Sequence, residues 1–432
     1  MIANFVVTVN VHFHQLKLIF YFNLSFECLP ILNQLQQLGV PEASIKLGST
    51  SMSSSRWIVS VEPSQLTLID LQNGAQVTRR PMKAEAAIMN PDVNTLALRS
   101  GTAVQLFNLD TKQKVKSHNL GAVPRFWKWA NAKTIVIVTD TNVMHWEYET
   151  QDAPVVMFDR HANLSNSQII NYQLSPDGKW CLIGGIAPGG EPGKVNGNMQ
   201  LYSVEKKVSQ VLQGHAGAFT TIKVAGREDA QLLVFHDRKH GQNENKIFIM
   251  EVGRKEGAPM RLPPANMPVP PDAANDFPVS LTHDSQTDIA FLLSKMGYLY
   301  MIDVHSGKFL YRARIGNETV FTTCSMPGTV FGITVRTGKV FRFQLNSAAA
   351  VPFIVNTLRD NAFAISLAGR LSLPGAENLL AQEFERVIAT GDVVAAAKLV
   401  ASGGASLRTP ATIQRFQQIP AEPGKPQPGK CY

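Results

Sequence analysis

The sequence is short of the features by which catalytic, disulfide-framed and membrane-spanning chains are recognised. It has only 4 cysteines in 432 residues, Cys28, Cys181, Cys324 and Cys431, and no CxxC pair. Such wide spacing gives neither a disulfide frame nor a metal-ligand cluster, and reads as free thiols in a reducing compartment. No GxSxG, HExxH, P-loop or GxGxxG occurs, so the common hydrolase, metalloprotease and nucleotide-binding chemistries have no support. Gly184-Gly185 and Gly189-Gly190 read as loop, because no helix start follows to hold a phosphate. Asp159-Arg160-His161 reads as a structural salt bridge rather than an acid–base pair. The chain is expected to be no enzyme, with no cofactor and no metal.

Charge is also sparse. Charged residues make up 17% of the chain, too few for a disordered tail or a long solvated helix. The net charge of +8 comes from scattered Lys and Arg without a recognition motif, which argues against nucleic acid as a partner. An unbroken apolar run is missing as well. The first residues are apolar, but His12, His14, Gln15 and Lys17 interrupt them. That is too broken for a signal peptide or a span of about 20 apolar residues. Residues 1–34 are therefore set apart as an atypical N-terminal segment of doubtful status. A misassigned reading-frame start is preferred there to a peripheral strand or a membrane-contacting stretch.

What the chain does have is repetition. Val104–Leu109 (VQLFNL) is apolar at its first, third, fourth and sixth positions. The same shape returns at Leu66–Leu71, Val143–Tyr148, Met199–Val204, Ile247–Val252, Leu299–Val304 and Val340–Leu345. Steps of 38 to 56 residues between successive copies mark a repeat architecture. Each copy follows an apolar strand pattern and a turn, as at Asn90-Pro91-Asp92 and Ser175-Pro176-Asp177-Gly178. Units of short antiparallel strands, apolar on both faces, are β-propeller blades. A β-sandwich would not repeat seven times. The fold class is mainly β: a seven-bladed β-propeller over residues 35–350. It lacks the Gly-His and Trp-Asp markers of WD40 repeats, apart from Gly214-His215.

Beyond residue 350 the pattern becomes helical. Asn356–Leu371, Gly375–Thr390 and Asp392–Ser402 are rich in Ala and Leu, and Leu379, Leu380, Phe384, Val387 and Ile388 share one helix face. Residues 351–419 are expected to form a short α-helical zigzag, the start of an α-solenoid. Residues 420–432, rich in Pro, Gly and Lys, are expected to be a flexible tail.

Specific strings then resemble the N-terminal domain and linker of clathrin heavy chain. They are RRPMKAEAAIMNP (Arg79–Pro91), VQLFNLDTKQKVK (Val104–Lys116), FWKW (Phe126–Trp129), MFDRHANL (Met157–Leu164), SQIINY (Ser167–Tyr172), MQLYSVEKKVSQ (Met199–Gln210), NDFPV (Asn275–Val279) and LRTPATIQRFQQIPA (Leu407–Ala421). The resemblance implies a structural coat protein of coated pits and vesicles, acting in endocytosis and intracellular vesicle transport. It implies a location on the cytoplasmic face of coated membranes, reached through adaptors. The partners implied are clathrin-box peptides of adaptor and accessory proteins, bound in grooves between blades. Full-length family members would trimerise and bind light chains. This chain lacks those regions, and is expected not to assemble cages by itself. The alternatives are a scaffold propeller unrelated to coats, or a short paralogue that binds adaptors without assembling.

The resemblance also implies sites. A groove between blades 1 and 2 takes Arg80, Gln105, Phe107, Lys112 and Lys114, with apolar wall from Met82, Leu96 and Leu109. Gln105 and Phe107, two apart, share a strand face. Periodicity alone reads Phe107 as core and the lysines as solvated surface, and the resemblance reverses that preference. Thr78 and Ala103 stand where the family has Ile and Thr, which would weaken this groove. A second pocket takes Gln168, Ile170 and Ile186, with Leu47 in place of a family Phe. A third groove, between blades 4 and 5, takes Trp180, Leu201, Lys206, Val208, Ser209 and Gln210.

Overall fold

The computed structural model describes residues 26–32, 34–224, 226–237, 244–402 and 407–419. Its strands form seven antiparallel sheets of four strands each. The first strand among the described residues, β1 (Phe26–Leu32), is used last, in blade 7. Blade 1 is β2 (Thr50–Met52), β3 (Trp57–Val61), β4 (Gln65–Asp70) and β5 (Gln76–Pro81). Blade 2 is β6 (Ala86–Met89), β7 (Thr95–Ser100), β8 (Ala103–Asn108) and β9 (Gln113–Asn119). Blade 3 is β10 (Phe126–Trp129), β11 (Thr134–Val138), β12 (Asn142–Glu147) and β13 (Val155–Asp159). Blade 4 is β14 (Gln168–Leu174), β15 (Trp180–Pro188), β16 (Val195–Ser203) and β17 (Val208–Gln213). Blade 5 is β18 (Gly217–Ile222), β19 (Ala230–Asp237), β20 (Lys246–Glu251) and β21 (Ala265–Asn266). Blade 6 is β22 (Pro278–Asp284), β23 (Ile289–Ser294), β24 (Tyr298–Asp303) and β25 (Phe309–Arg314). Blade 7 joins β26 (Val320–Met326), β27 (Thr329–Thr334) and β28 (Val340–Leu345) to β1.

The first strands of the blades touch in cyclic order, β2 to β6, β10, β14, β18, β22 and β26, and β26 touches β2 again. The ring is closed. Each repeated hexapeptide supplies the third strand of its blade, and its alternation explains the ring. In β8, Val104 and Leu106 pack with Ile135, Ile137 and Trp146 of blade 3. Phe107, on the other side, packs with Val59, Val61 and Leu68 of blade 1. A sheet buried on both faces needs apolar residues at both phases of the alternation. That is why the hexapeptides do not alternate strictly.

The propeller unit runs from Phe26 to Leu345. It therefore starts earlier than Leu35: residues 26–32 pair with β28 from Phe26↔Leu345 to Leu32↔Val340. Within the segment set apart from sequence, Cys28 stands opposite Phe343, and burial pushes its thiol up to about 12. The rest of that segment lies outside the described residues. Each blade also has a fourth strand, in a stretch whose sequence marks only a variable connection. Gly184 and Gly185 are in β15 rather than a loop. Arg160 donates to the carbonyls of Thr139 and Leu164, so it ties a loop together instead of pairing with Asp159.

The helical unit begins at Asn346, whose side chain caps α1 (Ser347–Phe353). A π-helical turn (Ile354–Leu358) follows, then α2 (Asn361–Leu371), α3 (Glu377–Ala389), α4 (Val393–Ser402) and α5 (Pro410–Gln417). The helix expected from Asn356 starts only at Asn361, because the Asp360 carboxylate accepts from the Phe363 N–H and fixes the start there. Of the apolar face read on α3, Leu380, Phe384 and Val387 are buried, and Leu379 and Ile388 half-buried. Asp392 accepts from the Ala395 N–H and starts α4, as its position after Gly391 predicts. The tail at 420–432 lies outside the described residues.

Candidate functional site

The blade 1–blade 2 seam is built by strand alternation. On β5, Thr78 and Arg80 pair with Leu68 and Leu66, which pack toward blade 2. On β8, Phe107 pairs with Leu96 and Gln105 with Leu98, which pack toward blade 1. Directly opposed residues share a face, so Thr78 and Arg80 look across the seam at Gln105 and Phe107. Met82, Phe107 and Leu109 are half-buried on this cluster. They form an apolar shelf that keeps contact with solvent. Leu96 is 2% exposed. It is core beneath Phe107 and supports the shelf from below rather than offering a wall to a ligand.

The basic residues surround this shelf. Arg80, Lys112 and Lys114 are exposed, and among the described residues none of them has an ion-pair partner. Lys112 adopts φ 57°, a left-handed turn that reverses the chain from β8 into β9. The register then slips: Lys116 pairs with Leu106 but Lys114 pairs with Phe107, leaving Val115 as the extra residue of a β-bulge. Plain alternation would put Lys112, Lys114 and Lys116 on one face. The bulge separates them. Lys114 stands with Phe107 on the blade 1 side, while Lys116 Nζ reaches the Gln151 carbonyl of blade 3 at 2.8 Å.

Trp57 and Ala84 join the same cluster and were not singled out in the sequence. The Trp57 indole donates to Asn94 Oδ1 at 3.1 Å, and the Asn94 amide donates to Asp110 Oδ1 at 2.9 Å. This chain ties blade 1 to the turn that follows Leu109. The alternation of Trp57 with Val59 and Val61 was the signal that could have placed it on this face.

The residues expected for the other two sites are placed differently. In the blade 4–blade 5 seam, Trp180 is half-buried on the cluster formed by Leu182, Leu201 and Phe235. Gln210 pairs with Leu201 and Val208 with Ser203, so both share that face. Val208 is 53% exposed and Lys206 is exposed. Leu201, at 3%, is core beneath the seam. Ser209 is on the wrong side: it pairs with Tyr202, which packs toward blade 3, and its hydroxyl is held by Gln200 at 2.8 Å. One-residue alternation excludes it from this groove. Of the second pocket, Gln168 pairs with Ile186, and Ile170 sits in the adjacent register irregularity on blade 4. Leu47 is at the entrance to blade 1, and no described hydrogen bond or core cluster joins it to those three.

Among the described residues no group of three or more acidic, His or Cys side chains could hold a metal. The thiols of Cys181 and Cys324 are buried, and burial pushes them up to about 11 and about 12, out of the reactive range.

The architecture defines a seven-bladed propeller of the non-WD40 kind, followed by short helices. The family model Clathrin-H-link matches residues 372–432. The chain is 40% identical over 404 residues to "Probable clathrin heavy chain 1" of Caenorhabditis elegans, covering 91% of this chain and 24% of that protein. It is 38% identical over 412 residues to "Clathrin heavy chain 1" of Arabidopsis thaliana and 36% over 405 residues to "Clathrin heavy chain" of Drosophila melanogaster, with the same coverage. The chain spans about a quarter of the length of the clathrin heavy chains it matches.

Proposed function

We propose that this protein is a clathrin-type terminal domain that binds rather than catalyses. Its ligands are short extended peptides of adaptor and accessory proteins, which bring it to the cytoplasmic face of coated membranes during endocytosis and vesicle transport. The observation that carries this reading is the half-buried shelf of Met82, Phe107 and Leu109 beside the exposed Arg80, Lys112 and Lys114, none of which has an ion-pair partner among the described residues. An extended peptide directs alternate side chains the same way. Its apolar residues would fill the shelf, and an acidic residue would meet the lysines. The blade 4–blade 5 seam, with Trp180, Gln210, Val208 and Lys206, is a further candidate for the same mode.

The test is direct binding of a labelled acidic–apolar clathrin-box peptide. A small contact area set against ordering entropy gives an affinity on the order of micromolar or weaker. Phe107→Ala and Lys114→Glu should each weaken it, and Lys116→Glu should not, because Lys116 faces blade 3. Equal weakening by Lys114→Glu and Lys116→Glu would contradict the assignment of faces.

A further inference from the structure

The inner strands of the seven blades, β2, β6, β10, β14, β18, β22 and β26, stand round the axis of the ring. In a propeller such strands enclose a central channel. The residues of charged type on them are Lys128, His283 and Asp284. Two of these are engaged. His283 Nε2 lies 2.8 Å from the Thr220 hydroxyl and 3.4 Å from Asp288 Oδ1. The Asp284 carboxylate accepts from the N–H groups of Gln286 and Gly328 and from the Thr287 hydroxyl. Lys128, on β10, is half-buried, and among the described residues no hydrogen bond or ion pair holds its ammonium.

Lys128 feels one other ionisable group, the thiol of Cys324. Cys324 is on β26 of blade 7, and blades 1 and 2 stand between it and blade 3 round the ring. The two approach each other across the channel, which puts the ammonium in the lumen. Burial holds that ammonium below the usual lysine range. Burial also keeps the Cys324 thiol protonated, so it supplies no counter-charge.

The wall around them is polar without being acidic. Ser280 and Thr282 on β22 meet Thr323 on β26, their hydroxyl oxygens lying 2.8 and 3.0 Å from Thr323 Oγ1. Thr323 is the chain neighbour of Cys324. All three hydroxyl residues are half-buried, and on an innermost strand the surface left accessible is that of the channel.

A lysine ammonium in such a place is costly without an anion. Hydroxyls can turn their protons from one another toward a bound ion. Lysine acts as a point charge rather than a planar fork, and donors set round a lumen suit a compact ion with oxygens in several directions. We propose that the central channel binds a small phosphate-class oxyanion, free in solution, held by the Lys128 ammonium of blade 3 and by the hydroxyls of Ser280, Thr282 and Thr323 across the lumen. This site shares no residue with the peptide grooves and does not depend on them.

The probe is inorganic phosphate, titrated into the full chain at constant ionic strength with chloride as the balancing anion. The readouts are the phosphorus NMR line width and the thermal midpoint. The wild type should show saturable line broadening and a saturable rise in midpoint. Lys128→Met keeps an unbranched side chain without the charge. It should lower phosphate affinity by about tenfold or more, the scale of one lost charged contact, and without phosphate it should melt no lower than the wild type. Thr282→Val, which leaves Lys128 in place, should lower the affinity by about threefold. Phosphate also stabilises folded proteins by exclusion from their surface, so an equal rise in the wild type and Lys128→Met overturns the proposal. So does an absence of line broadening in the wild type. If Lys128→Met does not fold, an affinity unchanged in Thr282→Val overturns it instead. Glycerol 3-phosphate carries the same group on a larger body, as a lipid headgroup does, and should compete less well; competition equal to that of phosphate overturns the assignment to a free ion.

Discussion

Phe107 is both core and surface, and the site depends on that division. Its ring closes the blade 1–blade 2 cluster while remaining half exposed. Phe107→Ala should therefore cost stability as well as affinity. A partly exposed ring loses less than the roughly 3–5 kcal/mol of a fully buried one, and peptide binding should fall by at least about tenfold. Gln105→Ala, which removes no core atoms, should weaken binding with little shift in the unfolding midpoint. Comparing the two by titration and by denaturation separates contact from support. His145 supplies a pH test. Its Nε2 lies 2.6 Å from the Tyr172 hydroxyl between blades 3 and 4, and burial lowers its pKa from 6.5 to about 4. The unfolded chain thus binds the proton more readily than the fold does. Stability is full above about 6.5, falls as the pH drops toward about 4, and levels off below that, with a loss on the order of 3 kcal/mol. His145→Gln should flatten this part of the stability profile measured by denaturant unfolding. The sequence showed Gln105 and Phe107 sharing a face, because alternation is local. It could not show Lys114 leaving the row of Lys116. A bulge is a property of pairing between two strands, and nothing in KQKVK marks Val115 as the extra residue.

At the scale of elements, the seven hexapeptides were legible because each third strand is buried on both faces and so carries a dense apolar signature. The fourth strands were not. β9 (QKVKSHN), for example, is largely exposed, and its polar sequence looks like a connection. β1 was missed for a related reason: its partner β28 is more than 300 residues away, and no local pattern announces such a pairing. The same limit applies to Gly214, read as part of an isolated Gly-His pair. A Cβ there would lie 1.8 Å from the His236 carbonyl oxygen and 2.9 Å from Met199 Cε. A backbone oxygen cannot turn aside as a side chain can. Gly214→Ala should cost about 2 kcal/mol or more, read as a lower urea midpoint. A Gly178→Ala control has open space around the new Cβ, so only its φ of 71° would oppose it.

At the scale of the whole molecule, a ring of blades is stable when every blade has two neighbours. Here the last blade is completed by residues 26–32, with Phe26 packed on Tyr311 of blade 6 at 4.4 Å. A chain lacking residues 1–32 should leave the β28 edge unpaired, melt at lower temperature and bind a hydrophobic dye before its main transition. A truncated chain with an unchanged melting curve would show that β1 adds nothing to closure. For peptide binding, this closed ring is a frame whose seams present side chains from two blades. The most direct test is titration of the labelled clathrin-box peptide into the wild type and into Gln105→Ala/Lys112→Glu. Both changed residues lie off the core, so the ring should be intact in each. If the seam between blades 1 and 2 holds the peptide, the double variant binds at least about tenfold more weakly; equal affinity for the two proteins would show that it does not.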